Sequence, residues 1–212
     1  GLTVAAKCIS ISVEYRLAPE NPFPAAVSDC LSALQWIVAN AEQLGGDPMR
    51  VAVGGDSAGG NLAAVIALAT RDAGPDLTFQ LLIYPVVDSD VNRPSYKTYA
   101  NAPMLPGHRM AYFWNQYVPD VEERGNWQCA PLRASSHSGL PPALVIAAGI
   151  DPLVDEGKSY AHQLNSSGVP VEYRLFSRMT HAFFQAPGLL SDAREASNAA
   201  GVALQKAFGT GN

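Results

Sequence analysis

Apolar and polar residues alternate with period two along Cys8-Ile9-Ser10-Ile11-Ser12-Val13-Glu14-Tyr15, a pattern that predicts a half-buried strand. Three prolines between Arg16 and Pro24 keep the next stretch out of a helix. From Ala25 the apolar positions Val27, Cys30, Leu31, Leu34 and Val38 take helical spacing until Gly45-Gly46 stops them. A strand is expected over Arg50–Gly54, followed by a helix that ends near Asp72-Ala73-Gly74-Pro75. Phe79–Tyr84 is a nearly unbroken apolar run of the kind that is buried on both faces. The rhythm breaks between Asp88 and Pro142, where prolines and seven aromatics (Tyr96, Tyr99, Tyr112, Phe113, Trp114, Tyr117, Trp127) surround one expected helix, Gly107–Tyr117. It returns as a strand at Ala143–Ala148, a helix at Asp155–Ser166 closed by Gly168, a strand at Val171–Phe176 and a helix from Ser191 to Phe208.

Five strands alternating with helices predict an α/β architecture: a mostly parallel sheet with helices on both faces, forming one domain over residues 1–212. Residues 88–142 are expected to be an insertion above the sheet, partly a cap. In such folds chemistry collects at the C-terminal ends of the strands.

At the end of the Arg50–Gly54 strand stands Gly55-Asp56-Ser57-Ala58-Gly59, a G-x-S-x-G pattern between strand and helix. A serine on so sharp a turn is held in a strained conformation, and glycines on either side let strand and helix pass closely. Ser57 then stands clear of the sheet, with the N–H of Ala58 opening a helix whose positive end favours a developing oxyanion. The plain alternative is a turn in which Ser57 merely caps the helix. A phosphate loop is disfavoured, because no G-x-x-x-x-G-K-[ST] occurs.

A serine needs a base, and the base needs an acid to set its tautomer. Of four histidines, His162 sits within a helical pattern, and His108 and His137 fall in the irregular insertion, where solvation is expected. His181 follows a strand and precedes the last helix, so its loop can reach over the sheet. Asp151 directly follows the Ala143–Ala148 strand; it would otherwise cap the next helix with Pro152 at the first position, and Asp155 is its rival. Asp56 is expected to fix the loop, pointing away from the nucleophile. The chain order Ser57, Asp151, His181 is that of one fold family and not of chymotrypsin or subtilisin.

Composition narrows the classes. Fourteen basic and nineteen acidic residues leave a net charge of −5 without a Lys/Arg cluster, which argues against nucleic acid. The longest apolar run, Leu62–Ala69, is too short to span a bilayer. Cys8, Cys30 and Cys129 are widely spaced and odd in number, so reduced thiols and a cytoplasmic location are expected, and no metal-ligand spacing is present.

Longer motifs carry a family resemblance. Tyr15-Arg16-Leu17-Ala18-Pro19-Glu20 with Phe23-Pro24-Ala25-Ala26, Gly55-Asp56-Ser57-Ala58-Gly59-Gly60-Asn61, and Asp151-Pro152-Leu153 with Asp155-Glu156-Gly157 resemble the hormone-sensitive-lipase-like (bacterial family IV) carboxylesterases of the α/β-hydrolase superfamily, from about Val4 to Phe208. The resemblance implies an α/β-hydrolase fold and a serine esterase without metal or organic cofactor. It implies Ser57 as nucleophile, His181 as base, Asp151 as acid and Ala58 as an oxyanion donor. Its substrates would be short- to medium-chain or aryl esters, and its members are often homodimers. Two departures stand out. The family's H-G-F is His181-Ala182-Phe183 here, and its upstream H-G-G-G has no counterpart, since no His-Gly dipeptide occurs in the chain. The chain is therefore expected to be N-terminally incomplete. Losing one oxyanion donor typically costs about 10²–10³ in kcat, which keeps a second reading open: an impaired or ligand-binding member of the fold, as plant gibberellin receptors are.

Overall fold

The unbroken apolar runs form the middle of the sheet. In the structure, a computed structural model that describes residues 1–211, four parallel strands lie in the order β1 (Ala52–Asp56), β2 (Phe79–Ile83), β3 (Ala143–Ile150) and β4 (Val171–Thr180). Every residue of β2 is buried, as expected for a strand covered on both faces. Period two sorts the side chains. Leu81, Ile83, Leu144 and Ile146 pack toward α1 (Leu2–Ala6) and α7 (Ser191–Phe208), whereas Leu82 and Val145 pack toward α3 (Ala58–Thr70) and α6 (Val154–Ser166). The helix α2 (Ala25–Ala39) closes a smaller cluster in which Ala26 and Val27 meet Leu62 and Val65 of α3.

The first expected strand is not one. Residues 8–15 belong to no ladder, and Ile9 and Ile11 are 51% and 44% exposed. Alternation supplies the two faces of a strand but not its hydrogen-bond partner. Among the described residues β1 pairs only with β2, and its other edge looks across a trough of about 1100 Å³ lined by residues 8–13, Ile37 and Ile66. The sheet accordingly has four strands rather than five.

Between β2 and β3, residues 88–142 hold α4 (Pro94–Thr98), which the sequence pattern did not predict, α5 (Gly107–Tyr117) and two 3₁₀ turns. Tyr96, Leu105, Met110 and Trp114 pack with Val86 and Leu153, so part of the aromatic content is the segment's own core. His137, expected to be solvated, is fully buried: its Nε2 lies 3.0 Å from Pro131 O and its ring packs edge-on against Tyr160 of α6.

Two buried polar side chains hold the stems of this segment. Asn61 Nδ2 donates to Val86 O (2.9 Å) and Cys129 O (2.7 Å). Glu156 Oε1 accepts from Val87 N (2.8 Å), and its Oε2 accepts from Tyr96 Oη (2.9 Å). Burial outweighs these hydrogen bonds and pushes the Glu156 carboxyl up to about 8. A folded-state value raised above the unfolded one gives stability that is complete below the ordinary carboxylate range and lost as pH rises through 8. Urea midpoints are therefore expected to fall between about pH 5 and pH 8 and then to level off. Glu156→Gln should flatten that slope, and an unchanged slope in the variant would refute the assignment.

Candidate active site

The strand ladder itself aligns the site. Asp56 is in register with Ile83, so Ser57 and Tyr84 are the next residues beyond β1 and β2. On the other side Ile150 is in register with Thr180, so Asp151 and His181 emerge side by side from β3 and β4. A register shift between Ala148 and Ile150 accompanies a tight approach at Gly149, where a Cβ would lie 2.4 Å from Ser177 O.

Ser57 has φ 54° and ψ −115°, a strained backbone, held by Ser57 N donating to Ile83 O (2.9 Å) and by its carbonyl accepting from Asn61 N (3.0 Å). The glycines divide the work differently from the sequence expectation. A Cβ on Gly55 would lie 2.4 Å from the Gly59 backbone and one on Gly60 2.9 Å from Pro85, but a Cβ on Gly59 would meet nothing within 4 Å.

The Ser57 side chain makes no helix cap; its Oγ lies 2.9 Å from His181 Nε2. His181 Nδ1 lies 2.7 Å from Asp151 Oδ2, and Asp151 Oδ1 accepts from Leu153 N (2.9 Å). A carboxylate only accepts, so Nδ1 carries the proton and Nε2 is left to accept from the Ser57 hydroxyl. Asp151 is completely buried and His181 nearly so. The helix α6 begins at Val154 rather than at Pro152. Asp155 turns to the insertion, where its Oδ2 accepts from Ser95 N (2.8 Å), while His108 and His162 are exposed. Ala58, also exposed, opens α3, where the first N–H groups have no partner within the helix.

Beside Ser57 and Ala58 opens a cavity of about 410 Å³, walled by Leu62 and Val86 and by Leu105, Met110, Phe113 and Trp114 of the insertion. Among the described residues no group of three or more His, Cys, Asp or Glu could hold a metal ion.

Ala182, in place of the family's glycine, has φ 66° and ψ 6°. That left-handed conformation costs alanine about 1–2 kcal/mol, and the greater unfolded-state freedom of glycine takes back about 0.4–1 kcal/mol. Ala182→Gly should therefore raise Tm by roughly 2 °C in differential scanning fluorimetry; a fall would show that the loop draws no strain from Ala182.

Two residues at the site were not singled out from sequence. Gln185 Nε2 donates to Asp56 Oδ2 (2.9 Å), and the ring of Tyr84 packs against His181 with centroids 4.6 Å apart. The Tyr84-Pro85 step at the end of a buried strand was the one available signal.

A serine on a strand–helix elbow, hydrogen-bonded through histidine to aspartate above a parallel sheet, defines the α/β-hydrolase class. The chain belongs to that family: the family model described as alpha/beta hydrolase fold matches residues 1–185. It is 42% identical over 209 residues to carboxylesterase NlhH of Mycobacterium tuberculosis, covering 97% of this chain and 66% of that protein. With ethyl acetate hydrolase of Pseudomonas putida it shares 40% identity over 189 residues, covering 87% and 59% respectively. The solved structure of EstE1, a thermostable carboxylesterase from a metagenomic library, superposes with a TM-score of 0.94 at 40% identity, covering 98% of this chain and 71% of that one. The chain thus spans about two thirds of the length of the NlhH sequence it matches.

Proposed function

We propose that this chain carries the catalytic centre of a serine carboxylesterase that hydrolyses short- to medium-chain esters. The observation that carries the reading is the hydrogen-bonded run Ser57 Oγ to His181 Nε2 (2.9 Å) and His181 Nδ1 to Asp151 Oδ2 (2.7 Å), opening on an apolar cavity. His181 takes the Ser57 proton as Oγ attacks the ester carbonyl, and the Ala58 N–H donates to the oxyanion. His181 then returns the proton to the leaving alcohol, leaving an acyl group on Ser57. Water, deprotonated by His181, attacks that acyl carbonyl; the acid departs and Ser57 regains its proton. Asp151 orients the imidazole throughout and stabilises its charged form.

The wall made by residues 88–142 acts as part of a cap over the acyl group, within one catalytic domain over residues 1–212. The names carboxylesterase and ethyl acetate hydrolase among its relatives support small esters as substrates. No described helix is long and apolar enough to cross a membrane. The three free thiols support a cytoplasmic setting, and a homodimer is proposed on the family resemblance. A panel of p-nitrophenyl esters tests the activity. Turnover should be highest from acetate to octanoate, fall for longer chains and vanish in Ser57→Ala. Ester turnover that survives in Ser57→Ala would refute the assignment of the nucleophile.

A further inference from the structure

His181 stands beyond β4, three strands away from the Ser57 strand, yet its Nε2 reaches Oγ. Something must carry the imidazole across the strand ends between them. The residue in register beside Ser57, at the end of β2, is Tyr84. It is 2% exposed, and its ring lies 4.6 Å from the His181 ring, with the two planes tilted by 52°. On the next turn Phe183 packs against the same ring, with centroids 6.0 Å apart.

The backbone of Tyr84 is bent to this position. Its φ is +32°, a left-handed value that a bulky residue rarely adopts, and its N–H donates to Ile146 O at 2.6 Å. Its hydroxyl lies 3.5 Å from Asp56 Oδ2, the same oxygen that takes the Gln185 amide at 2.9 Å. Asp56 immediately precedes Ser57, and Gln185 follows His181 by four residues. One carboxylate therefore gathers the nucleophile strand, the β2 terminus and the loop that bears the base. Burial, with the nearby Asp56 and Asp151 carboxylates, pushes the Tyr84 phenol well above its ordinary range, so it stays a neutral donor.

We propose that Tyr84 is a positioning residue for the base: its ring is the platform that holds the His181 imidazole at hydrogen-bonding distance from Ser57, and Asp56 fixes that platform to the nucleophile's own strand. The proposal rests on the reading of Ser57 and His181 as nucleophile and base. Tyr84 touches neither the ester nor the reacting atoms; it acts through His181.

The test uses the full chain with ¹³C-labelled histidine and a fluorophosphonate probe. A ring proton of His181, identified by its loss in His181→Asn, should be shifted upfield by the Tyr84 ring current. Tyr84→Leu should return that resonance toward its unshielded position and slow labelling of Ser57 by about tenfold, within the range that small misplacements of a catalytic group produce. Tyr84→Phe keeps the ring and should keep the shielding, but it loses the hydroxyl contact with Asp56, so its labelling rate should fall between those of Tyr84→Leu and wild type. An unshielded resonance in the folded wild-type chain, or a folded Tyr84→Leu that labels within twofold of wild type, would overturn the proposal. A wild-type chain with the shielded resonance that does not label would instead refute the nucleophile reading and leave Tyr84 with a packing role only.

Discussion

Replacing Asp151 with Asn is expected to slow acylation of Ser57 by about 10⁴-fold without unfolding the chain. The reason lies in the two oxygens of one side chain. Asp151 Oδ1 accepts from Leu153 N at 2.9 Å and Oδ2 from His181 Nδ1 at 2.7 Å. An asparagine can keep its oxygen on the Leu153 N–H, but its amide then faces His181 Nδ1 as a donor. The imidazole answers by moving its proton to Nε2, where it meets the Ser57 hydroxyl as a donor and can no longer take a proton from it. Stopped-flow labelling with a fluorophosphonate, with circular dichroism as the control for folding, measures the loss. A variant within tenfold of wild type would mean that Asp151 does not set the tautomer.

Gly55→Ala is expected to damage the elbow itself. The added methyl would lie 2.4 Å from both the carbonyl carbon and oxygen of Gly59, and backbone cannot give way as a flexible side chain would. Overpacking at a site that cannot relax costs about 3 kcal/mol or more, so Tm should fall by roughly 10 °C and the Ser57–His181 hydrogen bond should be lost with it. Gly59→Ala is the contrast: its Cβ meets nothing within 4 Å, and stability should change by no more than about 1 kcal/mol. Thermal melts of the two variants side by side decide it. Equal melting temperatures would refute the steric account of the elbow.

That contrast shows where sequence reasoning ran short. G-x-S-x-G identifies the turn, because the strand–serine–helix order is local, but it does not say which glycine faces which backbone. That depends on how β1 and α3 cross, and the tight contacts fall at Gly55 and Gly60. Periodicity placed α5 at Gly107–Tyr117 and α7 at Ser191–Phe208, because one face of each is apolar over several turns. It overstated residues 8–15, since alternation carries no information about whether a neighbouring strand is there to pair. Ser57, Asp151 and His181 were legible because each follows a recognisable strand. Tyr84 was not: it looks like the last apolar residue of a buried run, and only the parallel register shows that it is Ser57's neighbour. His137 was misjudged for a related reason. The segment around it is irregular in pattern yet packs under α6, so its burial is a tertiary fact.

The hydrogen-bonded line from Asp151 through His181 to Ser57 is the centre of the account, in which Ser57 is the proposed nucleophile. Intact-mass measurement after exposure to a fluorophosphonate, with Ser57→Ala alongside, tests this most directly. The account predicts one adduct on the wild-type chain and none on the variant. A folded wild-type chain without an adduct, or an equal adduct on Ser57→Ala, would contradict it.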